Sequence, residues 1–312
     1  MSIRQNNLAP IILFVYNRLE HTMSTLESLS KNTLAKQSAL WIFADGAKND
    51  EDYRKTQEVR DYIRSLPVKG WFDEIIIKES SKNKGLAKSI IEGVTCVIDQ
   101  HEKVIVLEDD LVTAPDFLEF MNKSLNFYKN KPSVGAISGY NPIRRENFPP
   151  DYEEDVYVTN RNCSIGWATW DYIWKEVDWE VRDYKNFERS FRSRIRFDES
   201  GSDRSKRLIR QVKYNLNSWS IRFGYTLFKL NKNVIYPKTS RLKHIGWDGS
   251  GTHSTQKNDT ATQRFNSEIP VEPLDFILSI PEKDKKIVMA MKRVYSGGLL
   301  MKVESLLSYI LY

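Results

Sequence analysis

KVIVLEDDLVTAPDF, residues 103–117, joins an apolar run to three consecutive acids. Val104 to Leu107, with Lys103 leading in, has the pattern of a strand buried on both faces, which in a parallel sheet is a near-continuous apolar run. The run stops at Glu108, Asp109 and Asp110, and the carboxyl end of such a strand is where open α/β sheets bind ligands. Adjacent carboxylates repel one another, so folding alone gives little reason for them. A divalent cation held by oxygen ligands would remove that repulsion. An acidic turn ahead of a helix starting at Pro115 accounts for the same residues, and on this stretch alone both readings stay open.

The pattern repeats on the N-terminal side. Pro10 introduces IILFVYN, a strand ending at Asn17 and Arg18, and residues 20–32 follow as a helix with Met23, Leu26 and Leu29 on one face. ALWIFADG, residues 39–46, is a second buried strand that ends in Asp45 and Gly46. A charged amphipathic helix over 51–66 closes at Pro67, FDEIIIKES is a third strand, and SKNKGLAKSIIEGVTCVIDQ leads through a helix to the acidic strand. Beyond it come a helix over 115–130 and a strand, VGAISGY. Strands alternating with helices imply βαβ units and a parallel sheet. Right-handed crossovers then bring Arg18, Asp45 and Glu108 to one sheet edge. Neither GxGxxG nor GxxxxGK[ST] occurs, which disfavours dinucleotide and P-loop chemistry.

From about residue 141 the alternation breaks, at Asn141-Pro142 and Pro149-Pro150. Trp167, Trp170, Trp174 and Trp179 follow; the spacing of the first three predicts a shared helical face, and core packing is favoured for two of them. Trp167 stays a candidate ring for sugar stacking, which a flat apolar face with a polar N–H suits. Residues 182–213 carry eleven Lys or Arg against five Asp or Glu, which equals the whole net charge of +6. A solvated helical face is the favoured reading of this segment over a dedicated anion site, although a basic surface suits anionic lipid or an acidic acceptor. NSWSIRFGYTLFKLNKNVIYP predicts a helix and then a short strand, and the glycine-rich KHIGWDGSGTHS, residues 243–254, reads as a lid. In the tail, Ile287, Met291 and Val294, then Leu299 to Ile310, form apolar stripes broken at Gly297-Gly298. Such stripes with flanking lysines fit an anionic membrane surface, docking back on the domain, or a partner helix.

The 312 residues hold one large α/β domain with elaborations or two small ones. Two cysteines, Cys96 and Cys163, without metal spacing suggest a reducing compartment. No signal peptide and no bilayer-length apolar run is recognisable, so the expected location is cytoplasmic, with a peripheral membrane position in view.

EDDLVTAPDFLEF resembles the matching stretch of the N-acetylglucosaminyltransferase I type of glycosyltransferase, an inverting, metal-dependent GT-A family. FVYNR, FADG, SIGWATWDYIW and PKTSRLKHIGWDGSGTH resemble further blocks of that family in order, over roughly residues 9–255. The NSW…IGWDGSGTH pattern is also similar to bacterial surface-polysaccharide glycosyltransferases. The resemblance implies a GT-A, Rossmann-like fold: a mostly parallel sheet flanked by helices. Residues 1–140 would form the nucleotide-sugar half and 141–280 the acceptor half with its lid, followed by amphipathic helices over 281–312. It implies Asp110 as ligand to Mn²⁺ or Mg²⁺, Asp109 near the ribose, Glu108 near the donor sugar and Asp45 on a uracil base. Arg18 and the Asn83–Lys84–Gly85 turn would lie near the nucleotide. His244 would complete the metal shell, and His253 would contact donor phosphate. The family's base is an Asp directly after a Trp; here Trp219 is followed by Ser220 and Ile221, so Asp248 and Asp171 stand as substitutes.

The expected function is metal-dependent transfer of a sugar from a UDP-linked donor to a glycan or lipid-linked acceptor in surface-polysaccharide synthesis. The expected partners are that donor, that acceptor and an anionic membrane surface, with no nucleic acid. A sugar nucleotidyltransferase and a non-enzymatic carbohydrate-binding protein using the tryptophans are the alternatives.

Overall fold

The computed structural model describes residues 8–248 and 268–296. Four strands form where the apolar runs end in polar residues: β1 (Ile11–Val15), β2 (Ala39–Ala44), β3 (Glu74–Glu79) and β4 (Lys103–Glu108). Between them lie α1 (Leu19–Ser30), α2 (Asp50–Arg64) and α3 (Leu86–Ile98). The start of α2 shows how local chemistry sets a boundary. The Asn49 side chain accepts the amide of Asp52 at 2.9 Å, and Asp50, Glu51 and Asp52 place negative charge in the first turn, where the helix dipole favours it.

After the acids come β5 (Leu111–Thr113), α4 (Phe117–Tyr128) and β6 (Val134–Ser138). The second half adds β7 (Val156–Thr159), β8 (Trp167–Trp170), α5 (Asp171–Trp174), α6 (Tyr184–Arg189), α7 (Phe191–Phe197) and α8 (Arg204–Lys213). It closes with α9 (Trp219–Lys229), β9 (Asn233–Pro237), β10 (Leu242–His244) and α10 (Lys285–Tyr295). Eight strands form one sheet in the order β3-β2-β1-β4-β8-β6-β9-β7, and β5 and β10 pair separately. The pairings β1–β2, β2–β3, β1–β4 and β6–β9 are parallel; β8 runs antiparallel between β4 and β6, and β7 antiparallel on β9. The sheet is thus mostly parallel and Rossmann-like, as expected.

Strands β1 and β4 are central and carry the core: Ile11 to Val15 and Val104 to Leu107 are all buried. Each such aliphatic side chain gains about 1.5–3 kcal/mol from leaving water. The chain leaves β1 toward β2 on one side and returns from β3 to β4 on the other, so β1 and β4 flank a topological switch point. Charged Glu74, Lys78 and Glu79 protect the edge strand β3 from further pairing.

Two expectations need correction. Trp167 and Trp170 lie on strand β8, not on a helix, because pairing with β4 and β6 overrides the 3.6-residue spacing; only Asp171–Trp174 is helical. The basic segment is not simply a solvated face either, since Arg194 and Arg204 are buried. In the tail, Ile287, Met291 and Val294 on α10 are buried against the domain, the docking arrangement; the stripe from Leu299 lies outside the described residues.

Candidate active site

The ends of β1 and β4 bring together groups widely separated in sequence. Arg18, just beyond β1, donates Nη2 to Oδ1 of Asp109 and to Oδ2 of Asp110, the latter at 2.8 Å. One guanidinium therefore bridges two of the three acids, and its single charge offsets only part of theirs. Burial drives the Glu108 carboxyl up to about 8, with the charges of Asp110 and Asp109 adding to the shift. Burial also raises Asp109, to about 6, against the lowering pull of Arg18. The acids hold more negative charge than this environment favours, which is the condition a bound cation relieves.

Small polar residues on α1 and just beyond its end fix the acidic turn. Thr25 accepts the amide of Leu111 at 3.1 Å and donates its hydroxyl to the carbonyl of Asp109 at 2.8 Å. Ser28 accepts the amide of Thr113 at 3.1 Å, and Asn32 accepts that of Leu118 at 2.9 Å. Thr25, Ser28 and Asn32 recur at helical spacing, a signal available from the sequence but hidden beside the apolar face of the same helix.

The APDF sequel has a structural task of its own. Asp116 forms a buried ion pair with Arg241, Oδ2 to Nε at 2.9 Å, too poorly aligned to count as a hydrogen bond. The Ala114 amide donates to the Arg241 carbonyl at 2.8 Å, and β10 then pairs with β5 through Leu242–Thr113 and His244–Leu111. This ribbon sets Nε2 of His244 3.5 Å from Oδ2 of Asp110. Burial, more than any charge, pushes the His244 imidazole down from its ordinary value, against the raising pull of Asp110. The chain then crosses directly over the acid at Gly246, where an added Cβ would lie 2.3 Å from Oδ2 of Asp110.

Asp45 and the 83–85 turn also meet, and the contact is internal. Asp45 accepts the amides of Gly46 (2.9 Å), Lys84 (2.9 Å) and Gly85 (3.0 Å), while Asn83 donates to the Gly46 carbonyl at 2.8 Å. Its carboxylate thus fixes the turn that starts α3 at Gly85, whose φ is 74°.

Beside the acids opens a cleft of about 650 Å³. Glu108, Asp110 and His244 line it together with Leu86, Ala87, Arg207 and Asn215 to Ser220. Among the described lining residues the only carboxylates are Glu108 and Asp110.

A model of the GNT-I family matches residues 4–193. The chain belongs to the GNT-I family, a family of glycosyltransferases. Among solved structures, "Crystal structure of S. aureus TarS" is similar at 12% identity and a TM-score of 0.43, covering 84% of this chain and 41% of that one. "Crystal structure of S. aureus TarS 1-349" gives 10%, 0.42, 84% and 67%, and UDP-glucose pyrophosphorylase complexed with UDP-glucose 13%, 0.39, 74% and 90%. This chain thus spans about two fifths of the first of these structures. These superpositions are loose, and the fold assignment stands on the sheet order itself.

Within this GNT-I family member the nominated residues sort by position. Arg18, Asp109, Asp110 and His244 touch one another, Glu108 adjoins them, and Asp45 meets the Asn83–Gly85 turn. Trp167 does not reach the site: it is 2% exposed and stacks between Trp174 and Trp219, with centroids at 5.7 and 4.9 Å. Asp171 fails as a base. Its amide bonds the Glu102 carbonyl at the start of β4, and about 17 Å of strand separates that end from Glu108. It pairs with Lys175 at 3.0 Å instead. Asp248 sits 3.2 Å from Nε2 of His21 on α1, a partner far from it along the chain. His253 lies outside the described residues.

No group of three or more His, Cys, Asp or Glu side chains among the described residues is arranged to hold a metal by itself. The site supplies Asp110 and His244, and Oδ2 of Asp109 and Nδ1 of His244 are buried with no hydrogen-bond partner. Two protein ligands beside orphaned polar atoms fit a hard cation that completes its shell with water and phosphate oxygens.

Proposed function

We propose that this protein transfers a sugar from a nucleotide-diphosphate donor, UDP-linked, to a glycan or lipid-linked glycan acceptor of a surface polysaccharide, on a GT-A-type fold. The observation that carries this reading is the Arg18–Asp109–Asp110–His244 cluster at the switch point of the sheet, opening into a cleft, in a chain of the GNT-I family. Asp110 and His244 would hold Mn²⁺ or Mg²⁺, which when bound neutralises charge on the departing diphosphate. Arg18 would add a second positive group at the same place, and Asp109 and Glu108 would face the ribose and the donor sugar. Asp45 acts in this scheme by fixing the 83–85 turn beside the nucleotide, since its carboxylate is already bonded to backbone amides.

The tryptophan-based binding alternative loses support. Trp167, Trp170 and Trp174 are 2%, 0% and 3% exposed, too little for a sugar to stack on them, and of the four tryptophans from Trp167 to Trp179 only Trp179 is partly exposed. The nucleotidyltransferase alternative predicts consumption of a nucleoside triphosphate. Among the described residues no helix is long and apolar enough to cross a membrane, and a cytoplasmic, membrane-peripheral position is proposed from the basic segment and tail. Incubation with a panel of UDP-sugars and Mn²⁺ should release UDP, by transfer or slow hydrolysis. No UDP release and no Mn²⁺-dependent nucleotide binding would end the proposal.

A further inference from the structure

The excess positive charge of residues 182–213 has one member in the cleft. Arg207 lines it, and among the described lining residues it is the only Lys or Arg. Its side chain is 42% exposed. Helix α8 holds it there firmly, because the neighbouring Leu208 and Ile209 are packed in the small core shared with Phe197, Ile221 and Tyr225.

The surroundings leave that charge poorly compensated. The carboxylate paired with it, Asp203, is 3.9 Å away and is already engaged by Arg161 through two hydrogen bonds, at 2.7 and 2.9 Å. The Tyr295 ring of α10 caps Arg161, 3.5 Å from its guanidinium, and keeps the pair buried. Arg204 adds a third guanidinium, bonded to neutral oxygens of Asn160 and Phe197. Three guanidiniums thus crowd around Asp203, and the exposed one faces the cleft.

The segment after α8 adds neutral polar groups beside Arg207. Asn215 turns the chain after α8 with φ at 53°, a left-handed conformation that Asn tolerates better than most residues. The returning segment is tied to α8 by Leu216 amide to Arg210 carbonyl (3.2 Å) and Ser218 amide to Gln211 Oε1 (2.7 Å). Asn215, Asn217 and Ser218 therefore line the same cleft as Arg207 with amide and hydroxyl donors on a fixed loop. These residues come from the second half of the chain, and the strand ends to which the donor is assigned come from the first.

We propose that Arg207, with Asn215, Asn217 and Ser218, forms an oxyanion subsite that binds a phosphate ester on the acceptor. The inference rests on the transferase reading above for the word acceptor, though not for the anion site itself. A guanidinium fork matches phosphate oxygens in a way that a neutral glycan cannot reward. The phosphate could be borne by a soluble glycan or by a lipid headgroup.

The test is protection of Arg207 from phenylglyoxal in the full-length protein, in EDTA, mapped by peptide mass spectrometry. Saturating glycerol 3-phosphate should slow modification of Arg207 about threefold or more, while glycerol has no effect. Protection by phosphatidylglycerol vesicles alone, with phosphatidylcholine vesicles inert, supports the subsite and assigns a lipid-borne phosphate. Equal protection by glycerol, or none by either phosphate probe, overturns it. UDP release is measured in parallel with Mn²⁺ and UDP-sugars. Protection without UDP release removes the acceptor role, and UDP release without protection removes the anion subsite while leaving the transferase reading intact.

Discussion

The two walls of the cleft handle charge in opposite ways. From the first half, Glu108 and Asp110 line the cleft at a strand end, and Asp110 is bonded to Arg18, which does not line it. On the wall from the second half, the charged pair Arg161–Asp203 is buried behind Tyr295, and the cleft receives neutral amides, hydroxyls and Arg207. The first wall is a consequence of the sheet, since strand ends at a switch point cannot move without moving the core. The second is a loop held by helices, which can change its lining without refolding the sheet. A shared donor chemistry with a variable acceptor would be organised in this manner.

The contrast is breakable at several points, in decreasing order of expected effect. Asp110→Asn should lower Mn²⁺-dependent UDP release by about a hundredfold or more, because it would remove the proposed metal ligand and its charge. Release close to wild type would detach the acids from donor chemistry. Asp116→Ala leaves Arg241 buried without its partner and should cost about 3–5 kcal/mol in urea unfolding. An unchanged midpoint would mean that the β5–β10 ribbon does not depend on this pair.

Thr25→Val keeps shape but strands the Asp109 carbonyl and the Leu111 amide, for a loss of about 1–3 kcal/mol. A matching loss of Mn²⁺ affinity, measured by titration, would show that α1 positions the acids. Gly246→Ala should weaken Mn²⁺ binding with little change in global stability, since the methyl would meet Asp110 directly. Unaltered affinity would show that the crossing chain gives way.

The smallest effect concerns pH. Glu108 and Asp109, raised to about 8 and about 6, stabilise the folded state fully below their unfolded values and lose that contribution as pH rises through the folded ones. The thermal midpoint in EDTA should therefore carry a downward component across about pH 5 to 8, and saturating Mn²⁺ should reduce it. Identical pH profiles with and without Mn²⁺ would contradict a cation at these acids.

The first half was largely legible because its signals are local. Uninterrupted apolar runs ending in Arg18, Asp45 and Glu108 mark buried parallel strands, and the crossover rule then places those ends together. The second half was less so. Trp167 and Trp170 suit a helix by spacing, and only their pairing partners make them a strand. Asp171 looked as available as Asp248 until the antiparallel direction of β8 carried it to the far end of β4.

By itself the sequence determined a mostly parallel α/β sheet, the acids at its centre and the missing carboxylate after Trp219. The resemblance already set His244 with Asp110; tertiary structure alone decided that Asp45 serves the 83–85 turn and that Arg207 lines the cleft. The reason is physical: strand formation follows from nearest neighbours along the chain, whereas pairing, register and ion partners arise between segments whose separation leaves no periodic trace.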